Sequence, residues 1–304
     1  MMEIGLVLPT IGRGASLGSL EAGAEVAAEL GWTSVWVTDH LLVPRGEEAE
    51  EYGTILEAIV SLTHVAARFP SFRIGTSVIV PPMRNPVVLA KQLATLDELS
   101  GGRLIVGVGV GDRSDLVEFR NLGVEDRMVQ RGAFVDETIR MWRHLWSGET
   151  DPFLGDFFRI TDFVFKPLPP QGGGLPVWTG GRSDRALQRA IELADGYHAA
   201  RTGPDDVLEK RLALRKLAAE AGRELPTISV RARVRFDQDP VDVYTMCGSD
   251  EEVAREVSRF AEFGTEHLIV VLEETDPKEL RAVAERFHKM AVVPALGPDG
   301  YAGS

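Results

Sequence analysis

Short β-branched runs alternate with longer amphipathic stretches, eight times over, along this chain of 304 residues. The runs fall near residues 3–8, 34–38, 72–80, 103–110, 176–179, 195–198, 227–236 and 266–272. Helical patterns follow near 19–30, 54–68, 86–99, 131–147, 183–193, 204–221, 250–262 and 277–289. Eight strands, each followed by a helix, is the count that closes a parallel barrel, so the expected fold is an α/β (β/α)8 TIM barrel, one domain over residues 1–304. The loop after the first strand, Pro9-Thr10-Ile11-Gly12-Arg13-Gly14, lacks the full glycine fingerprint of an open doubly wound sheet. Ser249 with Glu252 reads as a capping box, Gly264 as a helix stop and Pro277 as a helix start. The rhythm breaks at about 148–176, read as an insertion between the fourth helix and fifth strand, with Phe157-Phe158-Arg159-Ile160 and Phe163-Val164-Phe165 as a small hairpin. The tail from about residue 295 reads as mobile.

Composition narrows the function. Thirty-three Lys and Arg against 46 Asp and Glu leave a net charge of −13, a poor match to nucleic acid or anionic lipid. The one cysteine, Cys247, excludes an intramolecular disulfide and any multi-cysteine metal site, and no histidine pair has metal-ligand spacing. No apolar run approaches the roughly 18 residues of a membrane span, and the first residues carry no secretory pattern. A cytoplasmic location is expected.

In parallel barrels, chemistry sits at the carboxyl ends of the strands. The second strand ends Trp36-Val37-Thr38-Asp39-His40, and alternation puts Trp36, Thr38 and His40 on one face. His40 is either a proton-transfer group at the mouth or a histidine closing the strand end; the residues alone leave both open. The fourth strand carries Gly107, Gly109 and Gly111 on one face. That bare face admits a planar ligand close to the backbone, or relieves crowding inside the barrel. Asp112 follows at the rim as an acid or a turn cap. After the fifth strand, Thr179-Gly180-Gly181-Arg182-Ser183 joins two glycines, an arginine and a helix cap, the components of a phosphate site or of an ordinary capped loop. Arg231, Arg233 and Arg235 share a face of the seventh strand and need carboxylates, with Glu3, Asp195 or Glu273 as candidates, or an anionic ligand. His198 ends the sixth strand as a further candidate for lining the site.

Taken in order, these segments resemble the bacterial-luciferase-like flavin and deazaflavin oxidoreductases, the F420-dependent subgroup most closely. The resemblance runs from Ile4 to about residue 290 and includes Gly75-Thr76-Ser77-Val78, Asn85-Pro86, the 89–97 helix segment, Ser100-Gly101-Gly102-Arg103 and Val177-Trp178-Thr179-Gly180-Gly181. It implies an oxidoreductase passing a hydride between C5 of F420 and a small organic substrate, or an FMNH2-dependent monooxygenase supplied by a separate reductase. A third possibility is a flavin-binding protein without catalysis. It puts Asp39 and His40 beside the ring, with His40 and Asp112 as catalytic candidates. Thr76, Ser77 and Val78 would form a bulge, often cis, that backs the ring. Gly109, Val110 and Gly111 would meet the ring edge, and Thr179, Gly180, Gly181, Arg182 and Ser183 the phosphate. It also implies a homodimer through helices near 54–68 and 86–99. Deazaflavin sugar-phosphate dehydrogenases of this kind carry a glutamate where Asp112 stands and a carboxylate where the first loop has Thr10 and Arg13. They also carry an aromatic residue near Pro44, and these departures point away from sugar-phosphate oxidation.

Overall fold

Alternation decides which side of each strand meets the helices. Val35 and Val37 of β2 (Ser34–Val37) face the outer core, as do Ile74 of β3 (Arg73–Thr76) and Val106 of β4 (Leu104–Val108). In this computed structural model, which describes residues 1–46, 49, 52–238 and 244–297, these residues pair in parallel, Val35 with Ile74 and Ile74 with Leu104. The ladder continues through β7 (Val177–Gly180), β8 (Gly196–Ala200), β9 (Thr227–Phe236) and β11 (His267–Val271), and returns to β1 (Glu3–Val7). The β8–β9 pairing closes the ring, so the chain is a TIM barrel.

The helices α1 (Leu17–Glu29), α2 (Ala58–Arg68), α3 (Pro86–Ser100), α5 (Arg127–Ser147), α6 (Asp184–Leu193), α7 (Pro204–Ala221), α8 (Asp250–Glu262) and α9 (Pro277–Phe287) lie between the strands. Their caps are those written in the sequence. Ser249 and Glu252 exchange bonds at the start of α8, Gly264 follows it at φ +88°, and Pro277 opens α9 behind the Asp276 cap. Among the described residues no helix is long and apolar enough to cross a membrane.

Inside the barrel the side chains are unusually large and polar. Trp36 stacks on Trp178 at 5.3 Å and on His198 at 5.8 Å. Glycines on neighbouring strands make the room: a Cβ on Gly75 would fall 2.2 Å from the Trp36 ring, and one on Gly196 2.3 Å from Trp178. Below this layer, at the amino ends, Glu3 takes Arg73, Thr33 and His267.

Three elements depart from the sequence reading. A short strand β10 (Thr245–Gly248), carrying half-buried Cys247, pairs with the far end of β9 outside the closed ring. A short helix α4 (Leu116–Asn121) lies in the loop after β4. In the segment between α5 and β7, Arg159–Ile160 (β6) pairs with Phe153–Leu154 (β5), which precedes it, and not with 163–165. The cause is Glu137, whose buried carboxylate accepts the amides of Asp156, Phe157 and Phe158 and so fixes the turn there. Of the tail expected to be mobile, the residues to Leu296 complete a short helix, α10 (Val293–Leu296), and 298–304 lie outside the described residues.

Candidate active site

His40 follows β2 at the carboxyl end of the barrel, and its Nδ1 lies 3.0 Å from Glu118 Oε2. Glu118 comes from α4, with its side chain 2% exposed, and its other oxygen accepts the amides of Leu41 at 2.5 Å and Leu42 at 2.9 Å. Burial alone would raise the Glu118 pKa, but the bonds from His40 and the two amides outweigh it and hold the carboxyl below its ordinary range. The same bond raises the His40 pKa against its own burial, with Asp115 and Asp39 adding to the field. An ionised carboxylate only accepts, so Nδ1 is the donor. Nε2 is then left as the exchangeable position, on a side chain 41% exposed.

Glu118 was not among the sequence candidates. Its one signal is a carboxylate set between Val117 and Phe119 in an apolar stretch, a place where an unpaired charge would not be stable. Asp112, the acid expected near His40, is instead exposed. It accepts the Arg113 amide at 2.5 Å, while its own amide goes to Asp115, so it is a turn cap.

Asp39 is buried and turned away from open space. Arg84 grips it through Nε at 3.0 Å and Nη2 at 2.5 Å, and the Val80 amide adds a bond at 3.0 Å. It ties the end of β2 to the segment after β3, and so supports His40 from behind.

The bulge after β3 is the second part of the mouth. The Ser77–Val78 peptide is cis, as the resemblance implied. Thr76 spends its hydroxyl on the Gly107 carbonyl at 2.8 Å. Ser77 Oγ meets His198 Nε2 at 2.8 Å, and His198 Nδ1 meets Ser229 Oγ at 2.9 Å. His198 therefore does not line the site. It is buried beneath Ser77, and burial, helped by Arg231, pushes its pKa down to about 3, which keeps it neutral. Val78 stays half-exposed at the mouth.

The glycine face of β4 is not the open wall expected. A Cβ on Gly107 would lie 1.9 Å from the Thr76 carbonyl, and one on Gly109 2.4 Å from Val78 Cγ2. The bare face is filled by the bulge, because two backbones approach there. Val110 and Gly111 continue half-buried toward the rim, with Gly111 against the Phe119 ring.

Across the opening, Ser183 caps α6 by accepting the Ala186 amide at 3.3 Å. Gly181, at φ +125°, accepts Tyr197 Oη at 2.8 Å, and a Cβ there would strike Ala186. Arg182 is exposed beside them. Thr179 is fully buried and shares the Val177 face of its strand, the face toward the helices, so its hydroxyl points away from the mouth.

The chain belongs to the luciferase-like monooxygenase family, whose pattern matches residues 2–289. An F420-dependent glucose-6-phosphate dehydrogenase of Kineococcus radiotolerans is 31% identical over 228 residues, 73% of this chain and 65% of that protein. The chain thus spans slightly less than two thirds of that relative. An F420-dependent secondary alcohol dehydrogenase, solved with an F420–acetone adduct, superposes with a TM-score of 0.81 at 20% identity, covering 97% of this chain and 98% of that one. The FMN complex of the oxygenating constituent of 3,6-diketocamphane monooxygenase from Pseudomonas putida gives 0.77 at 16% identity, covering 95% and 98%.

Proposed function

We propose that this chain is an F420-dependent oxidoreductase in which His40 moves the proton that accompanies hydride transfer with a small organic substrate. The observation that carries the reading is the His40–Glu118 pair at the barrel mouth, with Nε2 directed away from its carboxylate partner. The residues present fit a tricyclic ring with a phosphate. Val78 offers an apolar edge backed by Ser77 and His198, and Gly180, Gly181 and Arg182 meet at the amino end of α6. Bound there, the deazaflavin would supply or accept the hydride at C5.

The work left to the chain is electrostatic and positional. Glu118 orients the imidazole and raises its basicity, so Nε2 takes a proton from a substrate alcohol during oxidation and returns it in the reverse direction. Asp39 and Arg84 hold the strand end that carries it. Thr76 and Arg182 act by position, through a fixed backbone and a local positive charge. With Asp112 capping a turn, Glu118 is the carboxylate that acts here, as the anionic partner of His40. The F420 named for the relative at 31% identity supports this cofactor over FMN, which the fold likeness alone also allows.

The same reading carries a homodimer through α2 and α3, where Val60, Val88 and Leu99 are 69%, 53% and 64% exposed, in a cytoplasmic enzyme. Equilibrium binding of F420 and FMN to the pure protein tests the cofactor. Tight F420 and weak FMN are expected, and the reverse order would make it an FMNH2-dependent monooxygenase served by a separate reductase.

A further inference from the structure

The arginine face of β9 is only partly neutralised. Glu273 takes Arg233 Nε at 3.0 Å and Arg235 Nε at 3.0 Å. Of the other carboxylates considered, Glu3 lies at the amino end with Arg73, and Asp195 pairs with Arg143. Arg231 is left without an ion pair among the described residues. One of its five N–H groups is accounted for, Nη1 donating to the Ser77 carbonyl at 2.9 Å. A neutral donor would hold that carbonyl equally well, so the bond does not explain the charge.

The neighbourhood adds positive charge. Arg231 pairs in register with Ala200, and the next residue, Arg201, is exposed at φ +56°, a conformation uncommon for a side-chain-bearing residue. Glu273 pairs with Arg233 and Arg235, while Arg201 adds its charge beside Arg231. Burial, with Arg233 and Arg201 adding repulsion, pushes the Arg231 guanidinium down to about 10, so it remains charged at neutral pH. A half-buried cation without a counter-ion is unfavourable, and a ligand anion would offset that cost.

We propose that Arg231 and Arg201 form an anion subsite in the wall of the mouth, taking a phosphate or carboxylate group of a bound ligand. The inference rests on the reading of this mouth as the ligand site. The guanidinium fork suits a bidentate oxyanion, and the bond to Ser77 fixes the fork beside the bulge.

The test is an NMR titration of arginine Nε–Hε signals in the full chain with inorganic phosphate, repeated with acetate. Saturable shifts of Arg231 and Arg201 are expected. Arg231→Met weakens phosphate binding by about tenfold or more, the loss of a charge-assisted bond. Arg231→Lys keeps the charge without the fork and recovers only part of the binding, thermal melts of each variant control for folding, and Arg235→Met leaves the binding unchanged. Equal affinity in wild type and Arg231→Met, or no phosphate binding in the wild type, overturns the subsite. F420 affinity is measured separately on the same proteins. Phosphate and F420 binding together assign the anion to the substrate, and mutual exclusion assigns it to the cofactor; either supports the subsite. Phosphate bound at Arg231 by a protein that ignores F420 removes the cofactor reading and leaves the subsite standing.

Discussion

The Nδ1 of His40 donates to Glu118 across 78 positions of sequence, at 3.0 Å, and the Leu41 and Leu42 amides lock the same carboxylate. The imidazole is therefore held by a charge that its own loop helps to bury.

That relationship sets a pH dependence. The His40 pKa is raised by the Glu118 bond, so in substrate oxidation, where a base is needed, activity rises as pH climbs through that raised value. Glu118→Gln removes the charge, and the acid limb of kcat/KM moves to lower pH. His40→Ala lowers turnover by about 10²–10⁴-fold with cofactor binding retained. The stability signs follow from the two shifts. The raised His40 pKa stabilises the fold below the unfolded value of 6.5, and that stability is lost as pH rises through the folded value. The lowered Glu118 pKa stabilises above 4.5, and that part is lost as pH falls through the folded value. Thermal melts across pH should show both losses in the wild type, whereas in Glu118→Gln the acid loss disappears and the His40 loss shrinks to what Asp115 and Asp39 contribute. A limb that stays in place would remove Glu118 from its role.

The glycine face of β4 makes a second prediction. A Cβ at Gly107 meets a backbone oxygen, which cannot turn aside, whereas at Gly109 it meets the Val78 side chain. Overpacking costs about 1–3 kcal/mol, so Gly109→Ala should fall in that range and Gly107→Ala at or above its upper end. Val78→Ala should restore part of the Gly109→Ala loss and none of the Gly107→Ala loss. Urea unfolding of the two singles and two doubles checks this, and equal rescue of both would contradict the packing described.

What the sequence made readable was whatever repeats locally. Strands such as Val35–Val37 and helices such as α8 carry their period and caps within a few residues, and their bounds agree with the structure to within a few positions. Residues that depend on distant partners were not readable. Gly107 and Gly109 look bare in sequence because Val78 and Thr76, some thirty positions earlier, fill the space. Glu118 looks like one acidic residue of a short helix because its donors lie near residue 40. Asp112 drew attention by its place after the glycines and by the family resemblance, yet its carboxylate caps the next amide. The hairpin was misregistered for the same reason, since Glu137 is outside it.

Asp39 makes a third prediction. Its carboxylate is buried and takes two bonds from Arg84, which also reaches Glu57 at 2.7 Å. Removing one member of a buried pair leaves the other without its partner, at a cost of about 3–5 kcal/mol. Asp39→Ala should lose stability of that order and release the Val80 amide, with F420 affinity falling as the bulge loosens. Urea unfolding and F420 titration measure the two effects, and a loss under about 1 kcal/mol would show that Arg84 is satisfied by Glu57.

The last prediction concerns the inserted hairpin. Glu137 accepts the Asp156 amide at 2.9 Å and those of Phe157 and Phe158 at 2.8 Å each, so one side chain on α5 holds the whole turn between β5 and β6. A two-stranded ribbon this short has little stability of its own, and its order depends on that grip. Glu137→Ala should raise hydrogen exchange at the 153–160 amides about tenfold or more, a local opening that leaves the barrel strands protected. Gly155→Ala should mimic it, because a Cβ there would lie 2.1 Å from Glu137 Oε1 and push the carboxylate off the amides it holds. F420 affinity should not change in either variant, since no residue of 153–160 is among those assigned to the proposed ring site. Unchanged exchange in Glu137→Ala would mean that the Phe134, Phe157 and Phe158 ring contacts, with centroids 5.1–5.3 Å apart, hold the hairpin unaided.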